Sequence, residues 1–547
     1  MAPRTDDDKA DIQVAHLESS VTRDDEDLKH AALDGHGVLK SRFDELPILT
    51  CLWTFRRAAF FCFLLFTGAM CDGFEVALSG MLLANKGFIK QFGSGGNGVT
   101  ALNTSWVSVW SAVINVGQIT SMVWAAYVAN RLGRKPTILI AWVLVVVALI
   151  CLMQARTPPI WMLGRLFTGA GVGVLQVICA AYAMELLPNR IRGTVIAFSS
   201  FWNYTGTLLA KVMGFTLNRT HPNDWQIAVR ALWGPVGLML FCFLPLPESP
   251  WFYARRGDKD KAFKSMKTLY TGVEGYDPEE EYGIMLRTLD HEREVAAKGI
   301  PWLAIFQGTN RKRTLLLMIL AGGGQLAGLT MISTYSTYFF AIAGQKDPFQ
   351  ASVIMSCISL AAVMVMMGAL DRFGRRILVA PALTVTCLSL WLLGALFYVP
   401  REKAGPALVS PHRHAPLTPQ LFVCALWTFC FTITGQSYFL LAAEIPSALL
   451  RVRTMSVAWV CNALFGIITS FATPPMLVHL NIRAGFVYGG TSLLICIFLW
   501  FSLPETRGRS PAEIDELYER GIRPWHWAKT KTFVEEQAEQ AREVERV

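Results

Sequence analysis

The apolar residues of this chain are gathered into blocks of about twenty with few or no charges, and a helix of that length crosses a hydrocarbon layer of roughly 30 Å. Inside such a layer no water reaches the backbone amides, so a spanning block satisfies its own hydrogen bonds as a helix. Six blocks run at approximately 58–84, 105–129, 137–155, 158–183, 194–217 and 228–246. Six more follow near 314–343, 350–370, 377–399, 418–443, 454–477 and 484–503. The pattern predicts an all-α membrane protein of twelve transmembrane helices. Composition excludes the main alternatives. Of 547 residues, 53% are hydrophobic and only 17% charged, against about 25% charged in a soluble protein. A soluble core cannot absorb that surplus, which removes a soluble enzyme from consideration. The 12 cysteines are scattered, form no CxxC pair and lie mostly inside apolar runs, which excludes a disulfide scaffold.

The polar segments divide the chain. Residues 1–57 begin with acidic runs such as Asp6-Asp7-Asp8, the reverse of a signal peptide, and read as a disordered cytosolic tail. Residues 58–246 form a first six-helix bundle and 314–503 a second. They are separated by a charged linker at 247–313, helical over 258–297, and followed by a tail at 504–547. Arginines and lysines cluster at Arg131/Arg134/Lys135, Arg190/Arg192, Arg372/Arg375/Arg376 and Arg451/Arg453, all on one side of a twelve-span chain. The positive-inside rule makes that side, with both termini, cytosolic. The net charge of +9 is thereby accounted for without a nucleic-acid partner.

An internal duplication organises the spans. Asn130-Arg131-Leu132-Gly133-Arg134-Lys135 after span two returns as Asp371-Arg372-Phe373-Gly374-Arg375-Arg376 after span eight. Glu185 and Arg192 return as Glu444 and Arg451, and Pro247-Glu248-Ser249 as Pro504-Glu505-Thr506. Parallel repeats at offsets of about 250 residues build transporters whose substrate site lies at the midplane between halves.

At these residues the chain resembles the sugar-porter branch of the major facilitator superfamily, over about residues 55–530. The resemblance is carried by Gly73-Phe74-Glu75, Gly164-Arg165, Pro247-Glu248-Ser249-Pro250, Gln325, Ser336-Thr337-Tyr338-Phe339-Phe340 and Pro504-Glu505-Thr506-Arg507-Gly508. Tyr182-Ala183-Met184-Glu185, Ala443-Glu444-Ile445-Pro446-Ser447 and the tail from Glu513 to Glu519 resemble the fungal maltose (α-glucoside) permeases in particular. The chain departs from the family pattern at Glu75, usually aspartate, and at Ala126 and Asn130 in the span-two motif. Family amides are replaced at Ser200, Thr207, Gly324 and Thr330.

The resemblance implies alternating-access transport of a sugar, with no cofactor and no covalent chemistry. The expected form is proton-coupled symport of an α-glucoside or disaccharide such as maltose, by a monomer in the lipid bilayer of the plasma membrane. An uncoupled hexose facilitator and a sugar-binding nutrient sensor are the alternatives.

Charges within spans each cost at least roughly 2.5–3.5 kcal/mol at mid-bilayer. The first-half spans hold Asp72, Glu75, Arg165 and Lys211, with Arg230 near an end, and the second-half spans hold none. Asp72 and Glu75 share a helix face, and with Arg165 they are the candidate proton-coupling group. Gln176, Ser200, Gln325, Thr330, Tyr335, Phe439 and Asn462 are the candidate sugar contacts, supplying hydrogen-bonding groups for hydroxyls and aromatic faces for the ring. Arg131, Arg134, Glu185, Arg192, Glu248, Arg372, Arg375, Glu444, Arg451 and Glu505 are the candidate cytosolic gate. Gly169-x-Gly171-x-Gly173 lies within a span and reads as close helix packing. His412 and His414 form a lone pair on a loop, and no metal site is expected.

Overall fold

A computed structural model describes residues 48–96, 99–273, 275–297, 301–343, 345–398, 419–447, 450–507, 509 and 511–532. The acidic N-terminal tail up to residue 47, His412 and His414 lie outside the described residues, as do the side chains of Arg372 and Phe439.

Twelve long helices correspond to the twelve predicted blocks. They are α1 Arg56–Leu82, α2 Thr104–Leu132, α3 Arg134–Met153, α4 Pro158–Leu186, α5 Asn189–Thr220 and α6 Gln226–Phe243. After the linker come α7 Gly308–Thr334, α8 Pro348–Phe373, α9 Arg375–Tyr398, α10 Pro419–Glu444, α11 Arg451–Leu480 and α12 Ala484–Ser502. Among the described residues, nine stretches are long and apolar enough to cross a membrane, one of them holding α11 and α12 together. The helix α5 is 32 residues long but is not among the nine. Asn203, Tyr204, Thr205, Thr207 and Lys211 dilute its apolar character, so it depends on neighbours to cover them.

One small departure from an all-α chain is an antiparallel hairpin, Gly93–Gly96 with Val99–Leu102, in the glycine-rich segment before α2. The linker forms helices at Pro250–Arg256, Lys259–Tyr270 and Pro278–Ala297, and a further helix, Pro511–Glu519, follows α12.

The packing repeats as the sequence does. Helix α1 packs on α5, α2 and α3 on α4, and α3 on α6; six helices later, α7 packs on α11, α8 and α9 on α10, and α9 on α12. The halves meet through α2 against α11 and α5 against α8. A shift of six helices exchanges those two contacts, as a duplicated unit with approximate two-fold symmetry requires.

Close approach rests on small residues. A Cβ on Gly73 would stand 1.9 Å from the Asn203 carbonyl oxygen, and one on Gly206 1.9 Å from that of Met70. Gly169 faces the Ile114 backbone and Gly173 faces Ser121, so this glycine run lets α2 and α4 touch.

At the end bearing the basic clusters, the duplicated motif forms the same joint twice. Gly133 and Gly374 take φ of 111° and 90° between consecutive helices. Each has a carboxylate where a Cβ would project: Glu248 at 2.5 Å and Glu505 at 2.7 Å. Glu248 accepts the backbone N–H groups of Arg134 (2.7 Å) and Lys135 (3.0 Å). Glu505 accepts those of Arg375 (2.9 Å) and Arg376 (3.0 Å). A carboxylate on the first free amides of a helix suits the positive end of its dipole.

Candidate functional site

Two polar clusters sit on equivalent helices of the two halves. The first is built on α1, α4 and α5. Asp72 and Glu75, three residues apart on α1, are both buried, yet each faces different partners. Glu75 accepts from the Arg165 guanidinium, which also donates to Ser79 Oγ; Thr168 Oγ donates to the same carboxylate at 3.4 Å. The side chains of this ion pair are only 3% and 7% exposed. Asp72 Oδ2 instead accepts two amides, from Gln176 Nε2 on α4 at 3.1 Å and from Asn203 Nδ2 on α5 at 3.2 Å. One acid is thus balanced by a charge and the other by dipoles. The two differ in what protonation releases: Glu75 gives up an ion pair, whereas Asp72 loses only the charge assistance in its two bonds from neutral amides.

The ion pair lies between two cavities. Cys71, Val145, Leu149, Thr168, Val172 and Val236 line an apolar one against Glu75, in the interior of the first half. Ser79, Phe88, Trp110, Ser111, Trp161 and Arg165 line a more polar one.

The second cluster is built on α7, α10 and α11. Gln325 Nε2 donates to Asn462 Oδ1 at 3.3 Å, Thr330 Oγ1 donates to Gln325 Oε1 at 3.4 Å, and the hydroxyls of Thr330 and Thr469 are 3.0 Å apart. Helix α7 is broken here, with Gly328 at φ 90°. The break frees carbonyls, and Trp427 Nε1 donates to that of Ala327 (3.2 Å) while Thr491 donates to that of Leu326 (2.7 Å). Trp427 stacks on Phe431 with ring centroids 4.5 Å apart, beside Gly324. Unwound backbone, amides and an aromatic wall are what a polyhydroxylated ligand recruits.

Of the residues expected to contact sugar, Gln325, Thr330 and Asn462 converge in this second cluster. Gln176 belongs to the first, through Asp72. Ser200 is half-buried on α5. Tyr335 is buried and joins the halves, its hydroxyl donating to Ser111 Oγ on α2. Asn203, Thr469, Trp427 and Phe431 are cluster members that motif reading passed over. An amide or hydroxyl inside an apolar span was the available signal for Asn203 and Thr469. Trp427 and Phe431 look like any other aromatic in a span.

The basic-end residues form paired networks within each half. Arg134 grips Glu185 through Nε (3.0 Å) and Nη2 (2.7 Å), and Arg375 Nη2 reaches Glu444 at 2.8 Å. Arg192 donates to the Leu187 carbonyl, Arg451 feels Asp515 of the C-terminal helix, and Arg131 lies over the Tyr127 ring. Among the described residues, side-chain bonds that bridge the halves lie toward the opposite end. Ser108 Oγ donates to the Phe471 carbonyl (3.1 Å), Asn115 Nδ2 donates to Ser470 Oγ (3.3 Å), and Arg219 meets Asp347 (3.5 Å).

The fold is one already seen in solved structures: the proton:xylose symporter XylE superposes with a TM-score of 0.66 at 20% identity, over 86% of this chain and all of that one. Among characterised proteins, the MFS transporter fmqE of Aspergillus fumigatus is 28% identical over 87% of this chain and 89% of its own. The general alpha-glucoside permease of Saccharomyces cerevisiae is 24% identical over 91% of this chain and 81% of its own. The sequence profile of the family described as "Sugar (and other) transporter" matches residues 61–518. With the profile covering both halves, their joints and both polar clusters, the chain belongs to this family, and is an integral membrane sugar transporter of the major facilitator superfamily.

Proposed function

We propose that the protein is a proton-coupled symporter of an α-glucoside or other disaccharide, of which maltose is the type. The observation that carries the coupling is the buried Glu75–Arg165 pair. A carboxylate at this depth is tolerated ionised only while a counter-charge or hydrogen-bond donors hold it, and removing one partner of a buried ion pair leaves an uncompensated charge costing about 3–5 kcal/mol. Protonation of Glu75 is therefore a switch that frees α1 from α4. Asp72, already held by two amides, anchors the cluster.

The sugar is bound by the Gln325–Asn462–Thr330 cluster, and by Gln176 and Ser200 from the other half, with Phe439 kept from the sequence as a further contact. The likeness to an α-glucoside permease supports a disaccharide, and so do Ser200, Thr207 and Thr330, shorter than the amides found there in the family. A shorter lining leaves room for a second ring.

The basic end, the linker at 247–313 and both termini face the cytosol in this reading, in the plasma membrane and in a monomer. The halves are then joined at the outer end, and the state described is inward-facing. The arginine–glutamate networks brace the cytosolic end of each half, and the inner gate closes where these braced ends meet in the opposite state.

Radiolabelled uptake of mono- and disaccharides in cells lacking their own permeases, with and without a protonophore, tests this. Maltose or a related disaccharide should accumulate, and the protonophore should abolish accumulation. Preference for glucose over every disaccharide, unaffected by the protonophore, would establish the uncoupled hexose facilitator instead.

A further inference from the structure

Apart from Arg230 near one end of α6, four charges lie within the first-half spans, and three of them are accounted for: Glu75 with Arg165, and Asp72 with its two amides. The fourth is Lys211 on α5. It is 5% exposed, and among the described residues its ammonium group has no hydrogen bond and no carboxylate within ion-pair distance. It stands nine residues before the helix end at Thr220, about 13 Å at a rise of 1.5 Å per residue. A desolvated ammonium without a counter-ion is expensive, and charges retained within membrane helices mark solute or ion pathways.

Its location gives the charge a purpose. Helix α5 is one of the two helices through which the halves meet, and it packs on α8. The described side chains of α8 within the layer offer no acid; its buried polar residues are Ser352, Ser356 and Ser359. Ser200, Tyr204 and Lys211 are spaced so as to share one stripe of α5, bordered by Asn203 and Thr207, which bond to α1. The stripe runs from the proposed sugar position Ser200 toward the contact of Arg219 with Asp347, which closes this end of the interface.

We propose that Lys211 receives an anionic group of the transported solute, and that the sugar carried is a sugar acid bearing a carboxylate. This rests on the sugar reading given above and narrows it. A neutral sugar leaves the ammonium uncompensated in both states, whereas a carboxylate supplies the counter-ion that the protein withholds. The family amides replaced at Ser200 and Thr207 are consistent with recognition having shifted from hydroxyls toward charge.

The test is binding to the purified full-length protein in detergent, with three probes: maltose, a disaccharide ending in glucuronate, and lactate as a carboxylate that is not a sugar. The glucuronate disaccharide should bind at least tenfold tighter than maltose. Lys211→Gln should reduce that ratio below about threefold, and Lys211→Arg should restore most of it. Equal affinity for the two disaccharides, or a ratio indifferent to Lys211→Gln in protein that remains folded by thermal unfolding, overturns the proposal and leaves the sugar reading intact. Binding of lactate alone, abolished by Lys211→Gln, overturns the sugar reading while keeping Lys211 as the anion site. Binding of none of the three overturns both.

Discussion

Asp72 and Glu75 differ by one turn of helix and one methylene, yet they meet different chemistry because α4 presents Arg165 to one and Gln176 to the other. This separates their substitutions. Glu75→Gln removes the charge and keeps the shape, so accumulation against a gradient should fail while sugar exchange in membrane vesicles continues. Undiminished accumulation would move coupling away from this residue. Asn203→Ala removes one of the two amides on Asp72 and should cost about 1–3 kcal/mol, the price of leaving a buried group unsatisfied. In an Asp72→Asn background the same change should cost less, which thermal unfolding of the four proteins in a double-mutant cycle would measure. Equal losses in both backgrounds would mean that Asn203 acts through its other bond, to the Ala69 carbonyl.

Among the elements, the joints before α3 and α9 are the most tightly specified. Each needs a glycine for two independent reasons, a positive φ and a carboxylate pressed against the Cα. Gly133→Ala should therefore destabilise the protein by more than the roughly 1–2 kcal/mol of a left-handed residue alone, because Glu248 must also move off the helix it caps. Gly368→Ala in α8, where a Cβ would meet nothing within 4 Å, is the matched control and should be neutral or slightly stabilising. Thermal unfolding in detergent compares them. Similar behaviour of the two variants would show that the joint yields easily. The break in α7 is specified differently: Gly328 permits it, but the donors that make it affordable, Trp427 and Thr491, come from α10 and α12.

For the whole molecule, alternating access requires the two ends to open in turn, and the bonds between halves at one end decide which state is favoured. Tyr335 donates to Ser111 across the interface, and Ser108 donates to the Phe471 carbonyl. Tyr335→Phe combined with Ser108→Ala removes two such bonds, each worth about 0.5–1.5 kcal/mol. The balance should shift toward the state in which this end is open by roughly 5–150-fold. A cysteine placed at Ser470 should then react faster with an impermeant thiol reagent added outside. An unchanged labelling rate, with normal expression, would show that helix packing alone holds this end closed.

Span count, the duplication and the basic motifs were legible in the sequence because each depends on local composition or on a recurring string. Hydrocarbon demands some twenty apolar residues wherever the helix lies, and a positive φ demands glycine whatever surrounds it. Individual motif residues were legible too: Arg134, Glu185, Glu248 and their repeats stand where the motif puts them. The partners were not legible. That Asn203 holds Asp72, that Trp427 satisfies the break in α7, and that the named bridging bonds gather at one end depend on which faces of distant helices meet. The sequence likewise supplied Lys211 as one of several charges in the first-half spans. Only the packed structure singled it out, because a charge becomes unpaired through what its neighbours fail to offer, and neighbours are decided by the fold.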